Sequence, residues 1–328
     1  MSLLGKLFYK YYYGPKVKKD IIAKFGGQEN FEKINECEAK MKAYAFERLV
    51  IHHQFHQQGK YQLFFLSGEK FLHQTLFCIY SLFRFLTKEE AAQFSITILD
   101  DGSLSDSRKV FLANKYSGIR VLSLLDAVRQ VESNLPRKKF PFIHEAIDGL
   151  ILFKKLFFTH SDLRPGLKIF LDSDMLFVRR PDLFLEWIRI NGEKKEKYFG
   201  IEDVGVNYGY SNSLITEISK TVTSVAINSG FYGINTSSLD FEYLEQILKK
   251  IITAEGIHYY CEQFVTGIIL TKRPENLTVL PKSDYIVLPC ERQVSMQDGV
   301  LHHYVDTSKE WYFKKGWERV IEGELALI

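Results

Sequence analysis

In the stretch LKIFLDSDMLFVRRPD, Leu167 to Asp182, the carboxylates Asp172 and Asp174 are framed by apolar residues on both sides. Placing two anions in such surroundings is costly unless a cation or a set of hydrogen-bond donors meets them. In an extended segment residues two apart point to the same side, so Asp172 and Asp174 can face one ion while Ser173 faces away. A hard divalent cation suits that geometry, because it takes a few carboxylate oxygens and leaves its other positions to phosphate or water. A chain of this length holds about one Asp-x-Asp by chance, and the competing reading is a solvated loop after a strand. The triplet therefore needs context.

Context lies downstream in HHYVDTSKEW, where His303 is followed by Lys309 and Trp311. An imidazole can complete a metal site with two carboxylates, and a Lys nearby can neutralise phosphate oxygens as a point charge. Together these motifs resemble the retaining glycosyltransferases of family eight and their relatives with the GT-A fold, the group that includes glycogenin and bacterial lipopolysaccharide galactosyltransferases. The family's late motif runs His-x-x-Gly-x-x-Lys-Pro-Trp. This chain matches at His303, Lys309 and Trp311, with Asp306 in place of the Gly and Glu310 in place of the Pro. His302 becomes the ligand if the register slips by one.

The resemblance extends to other segments. Ala226-Ile227-Asn228-Ser229-Gly230-Phe231 resembles a strand whose Asn lies near the donor sugar. Glu262-Gln263 resembles an Asp-Gln pair at a helix start, and Lys155-Leu156 occupies the place of an Arg-Leu whose cation touches the donor. Lys155 keeps the charge and loses the guanidinium fork. Asp100-Asp101-Gly102-Ser103 resembles the turn after the second strand, one Asp of which accepts from the nucleobase. The resemblance covers residues 60 to 312 and implies a metal-dependent hexosyltransferase. Asp172, Asp174 and His303 would hold Mn2+ or Mg2+, Asp172 would also reach the ribose, and Lys309 would meet the pyrophosphate of a nucleoside-diphosphate sugar, with UDP preferred. Retention is favoured, with Glu262, Gln263 and Asn228 at the reacting sugar; an inverting enzyme would need a carboxylate base, and Glu262 or Asp203 would be the residues to consider. A carbohydrate or glycolipid acceptor is expected.

These residues need a scaffold. Apolar residues at helical spacing from Phe31 to about Gln57 predict a helical N-terminal element carrying His52, His53 and His56 on a solvated face. Strands at 61–66, 95–99 and 119–124 alternate with helices at 70–85 and 106–116, a βαβαβ series that implies a largely parallel sheet. A helix at 145–160, strands at 168–171, 198–201 and 225–235, and helices at 239–253 and 260–270 follow. Ligands in open α/β sheets sit beyond the carboxyl ends of parallel strands. Three such ends carry polar or glycine residues: Leu66-Ser67-Gly68, Leu99-Asp100-Asp101-Gly102 and Leu171-Asp172-Ser173-Asp174. The expected organisation is a helical extension over residues 1–60, one GT-A αβα domain over 61–312 and a tail over 313–328.

The 328 residues, 46% hydrophobic and 25% charged, suffice for one large α/β domain or two small ones. A net charge of +3 with scattered Lys residues argues against a nucleic-acid binder. Four distant cysteines without CxxC spacing suggest neither zinc nor disulfides. The first residues contain too short an apolar run for a signal peptide, and a cytoplasmic protein is expected. Phe8, Tyr9 and Tyr11 to Tyr13, interleaved with Lys6, Lys10, Lys16 and Lys18, suit a peripheral membrane contact, as they suit a packed segment. Trp311 and Trp317 divide between acceptor stacking and core packing. Two other classes stay open: a nucleotidyltransferase, against which the single glycine in Leu66-Ser67-Gly68-Glu69-Lys70 counts, and a catalytically silent nucleotide-sugar binder.

Overall fold

The computed structural model describes residues 14–163, 166–206 and 208–325. The aromatic cluster Phe8 to Tyr13 and its Lys6 and Lys10 lie outside the described residues. Strands β1 (Tyr61–Ser67), β2 (Phe94–Asp100), β3 (Arg120–Leu122), β4 (Leu167–Leu171), β6 (Tyr198–Glu202), β7 (Ile227–Asn235) and β8 (Leu277–Leu280) form a seven-stranded sheet in the order β3-β2-β1-β4-β7-β6-β8. A three-stranded sheet beside it joins β5 (Met175–Phe177), β10 (Leu301–His303) and β9 (Tyr285–Val287), in that order.

The predicted parallel series is present: β1 pairs in parallel with both β2 and β4, and β2 with β3. β7 runs antiparallel to β4 and to β6. Its starting residues, Ile227 to Gly230, therefore reach the edge where the parallel strands end. β2 is buried along its whole length, Ser95 and Thr97 included, as an interior strand of a sheet covered on both faces is. Side chains alternate between the two cores. Leu63, Phe65, Ile169 and Leu171 enter one apolar cluster, and Phe64 and Phe170 the other, following the period of two in an extended chain.

The N-terminal element is two helices, α1 (Gly14–Lys24) and α2 (Gln28–Glu47). Residues 48–60 carry no helix, which corrects the expected helical placement of His52, His53 and His56. Leu49 and Phe55 are buried there from an irregular chain, so apolar spacing past Glu47 marks burial and not helicity. The helix over Leu72–Phe83, α3, is buried at every residue. α2 packs on it from outside the sheet and Phe313 of the π-helical turn Tyr312–Gly316 stacks on His73, so that even its polar His73, Gln74, Thr75 and Ser81 are buried. The expected helix at 145–160 is two, Pro141–Gly149 and α4 (Phe153–Ser161). The tail, without a clear period in sequence, folds into short helical turns and a last helix over Trp317–Leu325. Trp317 is buried against Phe77 and Tyr44, with ring centroids 5.6 and 5.8 Å apart; it is a core residue. No described helix is long and apolar enough to cross a membrane.

Candidate active site

Asp172 and Asp174 follow β4 in a turn, not in an extended run, yet they converge as their spacing suggests. The Asp172 amide donates to Gly230 O at 2.8 Å, and the carbonyl of Asp174 accepts from Tyr304 N at 2.9 Å. Ser173 points the other way: its hydroxyl lies 2.8 Å from Thr75 Oγ1, which donates to Ser67 Oγ at 2.7 Å. This chain of three hydroxyls ties the turn to the end of β1 and the start of α3. Buried polar groups linked in this way fix one conformation of the loop.

His303 enters from β10, where its backbone pairs with Met175 in antiparallel register. Its Nε2 lies 3.3 Å from Asp174 Oδ1 and 3.7 Å from Asp172 Oδ2. The ligand atoms of the three side chains all lie within 4.8 Å of one another. His303 is almost fully buried, and neither ring nitrogen has a well-formed hydrogen bond. A buried imidazole without partners beside two carboxylates fits a divalent cation, which would satisfy all three at once. His302 points elsewhere: Nε2 lies 2.6 Å from Asp298 O and Nδ1 3.2 Å from Tyr304 Oη, and burial pushes its pKa down to about 4.

Lys309 Nζ donates to Asp174 Oδ2 at 2.6 Å. Burial opposes ionisation of Asp174, but Lys309 and His303 outweigh it and hold its pKa well below the usual carboxylate range. Gly230 makes the approach of His303 feasible, since a Cβ there would meet His303 Cε1 at 2.4 Å and Asn228 Oδ1 at 2.8 Å. The glycine of the Asn-Ser-Gly strand is thus required by a close contact.

Behind the carboxylates Lys155, from α4, is buried with Glu262, from the helix over Cys261–Thr271, α5. Lys155 Nζ lies 2.9 Å from Glu262 Oε2 and 3.9 Å from Asp172 Oδ2, and it donates to Ser229 Oγ at 2.8 Å. Glu262 also accepts from Ser229 Oγ at 2.8 Å and from Thr266 Oγ1 at 2.9 Å. Burial raises the Glu262 carboxyl. Burial lowers Lys155, but Asp172 and Glu262 more than reverse that and keep it an ammonium. Gln263 donates to Asp203 Oδ2 at 2.7 Å.

A cleft of about 470 Å³ opens over this group, walled by Leu66, Lys70, Asp101, Leu152, Lys309 and Tyr259 among others. A recess of about 80 Å³ continues from it past Asn228, Glu262 and Gln263. Two residues expected at the nucleotide do not line the cleft. Ser67 is held beneath it by Thr75. Asp100 is buried in its own turn, accepting from Gly102 N and Leu104 N and pairing with Lys109 Nζ at 3.0 Å. Its neighbour Asp101 reaches the cleft wall instead. Sequence reasoning passed over Glu38, Lys70 and Tyr259, all on the cleft wall. Glu38 looks like any solvated acid of an amphipathic helix, and Tyr259 precedes α5 without a motif of its own. Another surface cleft, of about 320 Å³ between Tyr198 and Arg273, holds no metal-ligating group of three among the described residues.

The motif departures have structural counterparts. Asp306 adopts φ 52°, the left-handed conformation for which glycine is favoured and which Asp tolerates better than most residues. Glu310 turns its carboxylate to the N-terminal extension, accepting from Asn30 Nδ2 at 2.9 Å and from Lys314 Nζ at 2.8 Å.

No protein-family model and no curated relative matches the chain by sequence. Among solved structures it is similar to mouse xyloside xylosyltransferase 1, with a TM-score of 0.51 and 15% identity over 78% of this chain and 99% of that one. It is also similar to the WbbM bifunctional glycosyltransferase, with a TM-score of 0.50 and 12% identity over 84% of this chain and 50% of that one. The likeness establishes the fold: a mixed α/β architecture with a mostly parallel central sheet, of the GT-A type found in glycosyltransferases.

Proposed function

We propose that the protein is a metal-dependent glycosyltransferase that moves a hexose from a nucleoside-diphosphate sugar, UDP-linked by preference, to a carbohydrate or glycolipid acceptor with retention at the anomeric carbon. The observation that carries this reading is the convergence of Asp172, Asp174, His303 and Lys309 on one cleft beyond the carboxyl ends of parallel strands. A divalent ion held by Asp172, Asp174 and His303 would stabilise the negative charge that develops on the departing diphosphate. Lys309 and Lys70 stand on the same wall and would neutralise the remaining phosphate oxygens.

The recess lined by Asn228, Glu262 and Gln263 would take the transferred sugar. Both carboxylates that could be mistaken for a base are engaged, Glu262 by Lys155, Ser229 and Thr266 and Asp203 by Gln263. This supports transfer in which the acceptor hydroxyl gives its proton to the leaving phosphate oxygen as the bond from the anomeric carbon to that oxygen breaks and the new glycosidic bond forms on the same face. Tyr259, exposed at the mouth and shared by cleft and recess, offers an aromatic face to an acceptor sugar.

Calorimetric titration of UDP and GDP, with and without manganese, tests the site on wild type and on Asp174→Asn. Binding that requires both the metal and Asp174 is expected, followed by turnover of the matching nucleotide sugar with an acceptor. If neither nucleotide binds, or the variant binds as well as wild type, the transferase reading falls.

A further inference from the structure

The two carboxylates flanking Lys309 in sequence, Asp306 and Glu310, both turn away from the cleft and onto the N-terminal helices. Asp306 pairs with Lys24 of α1. Glu310 accepts from Asn30 of α2 at 2.9 Å, and Lys314 bridges Glu310 and Asn30. The Glu310–Lys314 pair is largely shielded, with side chains 17% and 16% exposed, so its geometry is better defined than that of the exposed Lys24–Asp306 pair. α2 also packs on the π-helical turn Tyr312–Gly316 that follows Lys309–Trp311.

The same helix contributes to the cleft directly. Glu38 stands on its wall, with His73 Nε2 3.5 Å from its carboxylate. Burial opposes ionisation of Glu38, but His73 and the ammonium groups of Lys70 and Lys309 hold it below its ordinary range. The extension is thus bound to the segment bearing the phosphate-facing lysine at Asp306 and Glu310, and it forms part of the wall beside that lysine.

We infer that the helices over Gly14–Lys24 and Gln28–Glu47 are a built-in clamp for the diphosphate, with Asn30 as the positioning residue that sets Lys309, through Glu310, against a nucleoside diphosphate. The inference rests on the proposed donor site. Lys309 is tethered to the backbone between the two contacts, so loosening them lets its ammonium leave the position in which it can meet phosphate.

The test compares a ligand that uses Lys309 with one that does not. Dissociation constants of UDP and UMP, and of GDP and GMP, are measured by calorimetry with manganese for wild type, Asn30→Ala, Lys309→Ala and the double variant, beside thermal melts. Asn30→Ala should weaken the diphosphate by about five- to tenfold, the scale of one ordinary net hydrogen bond, since Glu310 keeps Lys314, and leave the monophosphate within about twofold. In the Lys309→Ala background the same change should add less than about twofold, since coupled positions are not additive. Equal weakening of mono- and diphosphate, or full additivity, would make the extension a packing element only and overturn the inference. Should Asn30→Ala fail to fold, Glu310→Ala breaks the same link from the other side. Wild type that binds a diphosphate through Asp174 while Asn30→Ala and Glu310→Ala match it sinks the clamp alone. Wild type that binds no nucleoside diphosphate sinks the donor site and the clamp with it.

Discussion

Replacing Lys155 by Met removes the cation from a buried ion pair while nearly preserving side-chain volume. Lys155 and Glu262 are 4% and 1% exposed at a separation of 2.9 Å, so the variant leaves a buried carboxylate with hydroxyl donors from Ser229 and Thr266. Breaking one side of such a pair typically costs about 3–5 kcal/mol. The loss has a ceiling, because Glu262 can escape by taking up a proton. Holding a carboxyl protonated at pH 7 against its ordinary value of 4.5 costs about 3.5 kcal/mol. We therefore expect Lys155→Met to lose about 3 kcal/mol at pH 7, several degrees of melting temperature in a chain of this size.

The sign of the pH dependence follows from the same step. In the variant, folded Glu262 keeps its proton while the unfolded chain has lost it above pH 4.5, so stability falls as pH rises through this window, by up to about 1.4 kcal/mol per pH unit. The deficit against wild type should shrink as pH is lowered from 7 toward 5, and Glu262→Gln in the Lys155→Met background should remove most of it. Urea unfolding of the three proteins at both pH values is the assay. A deficit under about 1 kcal/mol, or one that does not change with pH, would refute the claim that the pair is buried and ionised.

Gly230→Ala should displace His303, whose Cε1 would lie 2.4 Å from the new Cβ. Manganese affinity by calorimetry should fall at least about tenfold, with an overpacking cost of about 1–3 kcal/mol in urea unfolding. His302 is neutral when folded, with its pKa near 4, whereas the unfolded chain binds a proton near pH 6.5. Stability should therefore drop as pH falls between these values, by up to about 3 kcal/mol. A His302→Gln variant should show a shallower acid limb in pH-dependent unfolding; equal limbs would contradict the burial argument.

The parts of this site that lie just after apolar runs were legible from the chain, because a strand end followed by carboxylates or glycine marks the mouth of an open α/β sheet. Asp172 and Asp174 fall into this group, whereas Lys309 and Asn228 are legible only through motifs that resemble those of a known family. The choice between His302 and His303 was not legible, since it depends on the register of β10 against β5, and a slip of one residue exchanges the two faces. Asp100 and Asp101 show the same limit: adjacent acids in one turn, of which one is consumed by its own backbone and the other reaches the cleft. Glu38 was invisible because its partners, His73, Lys70 and Lys309, are distant in sequence. The reversed direction of β7 is not legible in the chain, because a continuously buried strand has the same composition in either orientation.

The small sheet of β5, β10 and β9 has strands of three residues each, too short to resist fraying alone. One side of the candidate metal site, Asp172 and Asp174, precedes β5 and the other, His303, ends β10. A cation bridging them would act as a reversible crosslink closing a very long loop. Amide hydrogen exchange at Tyr304, which donates to Asp174 O, would then report metal occupancy as a slowing of local opening, and the same binding free energy would be added to the global unfolding transition.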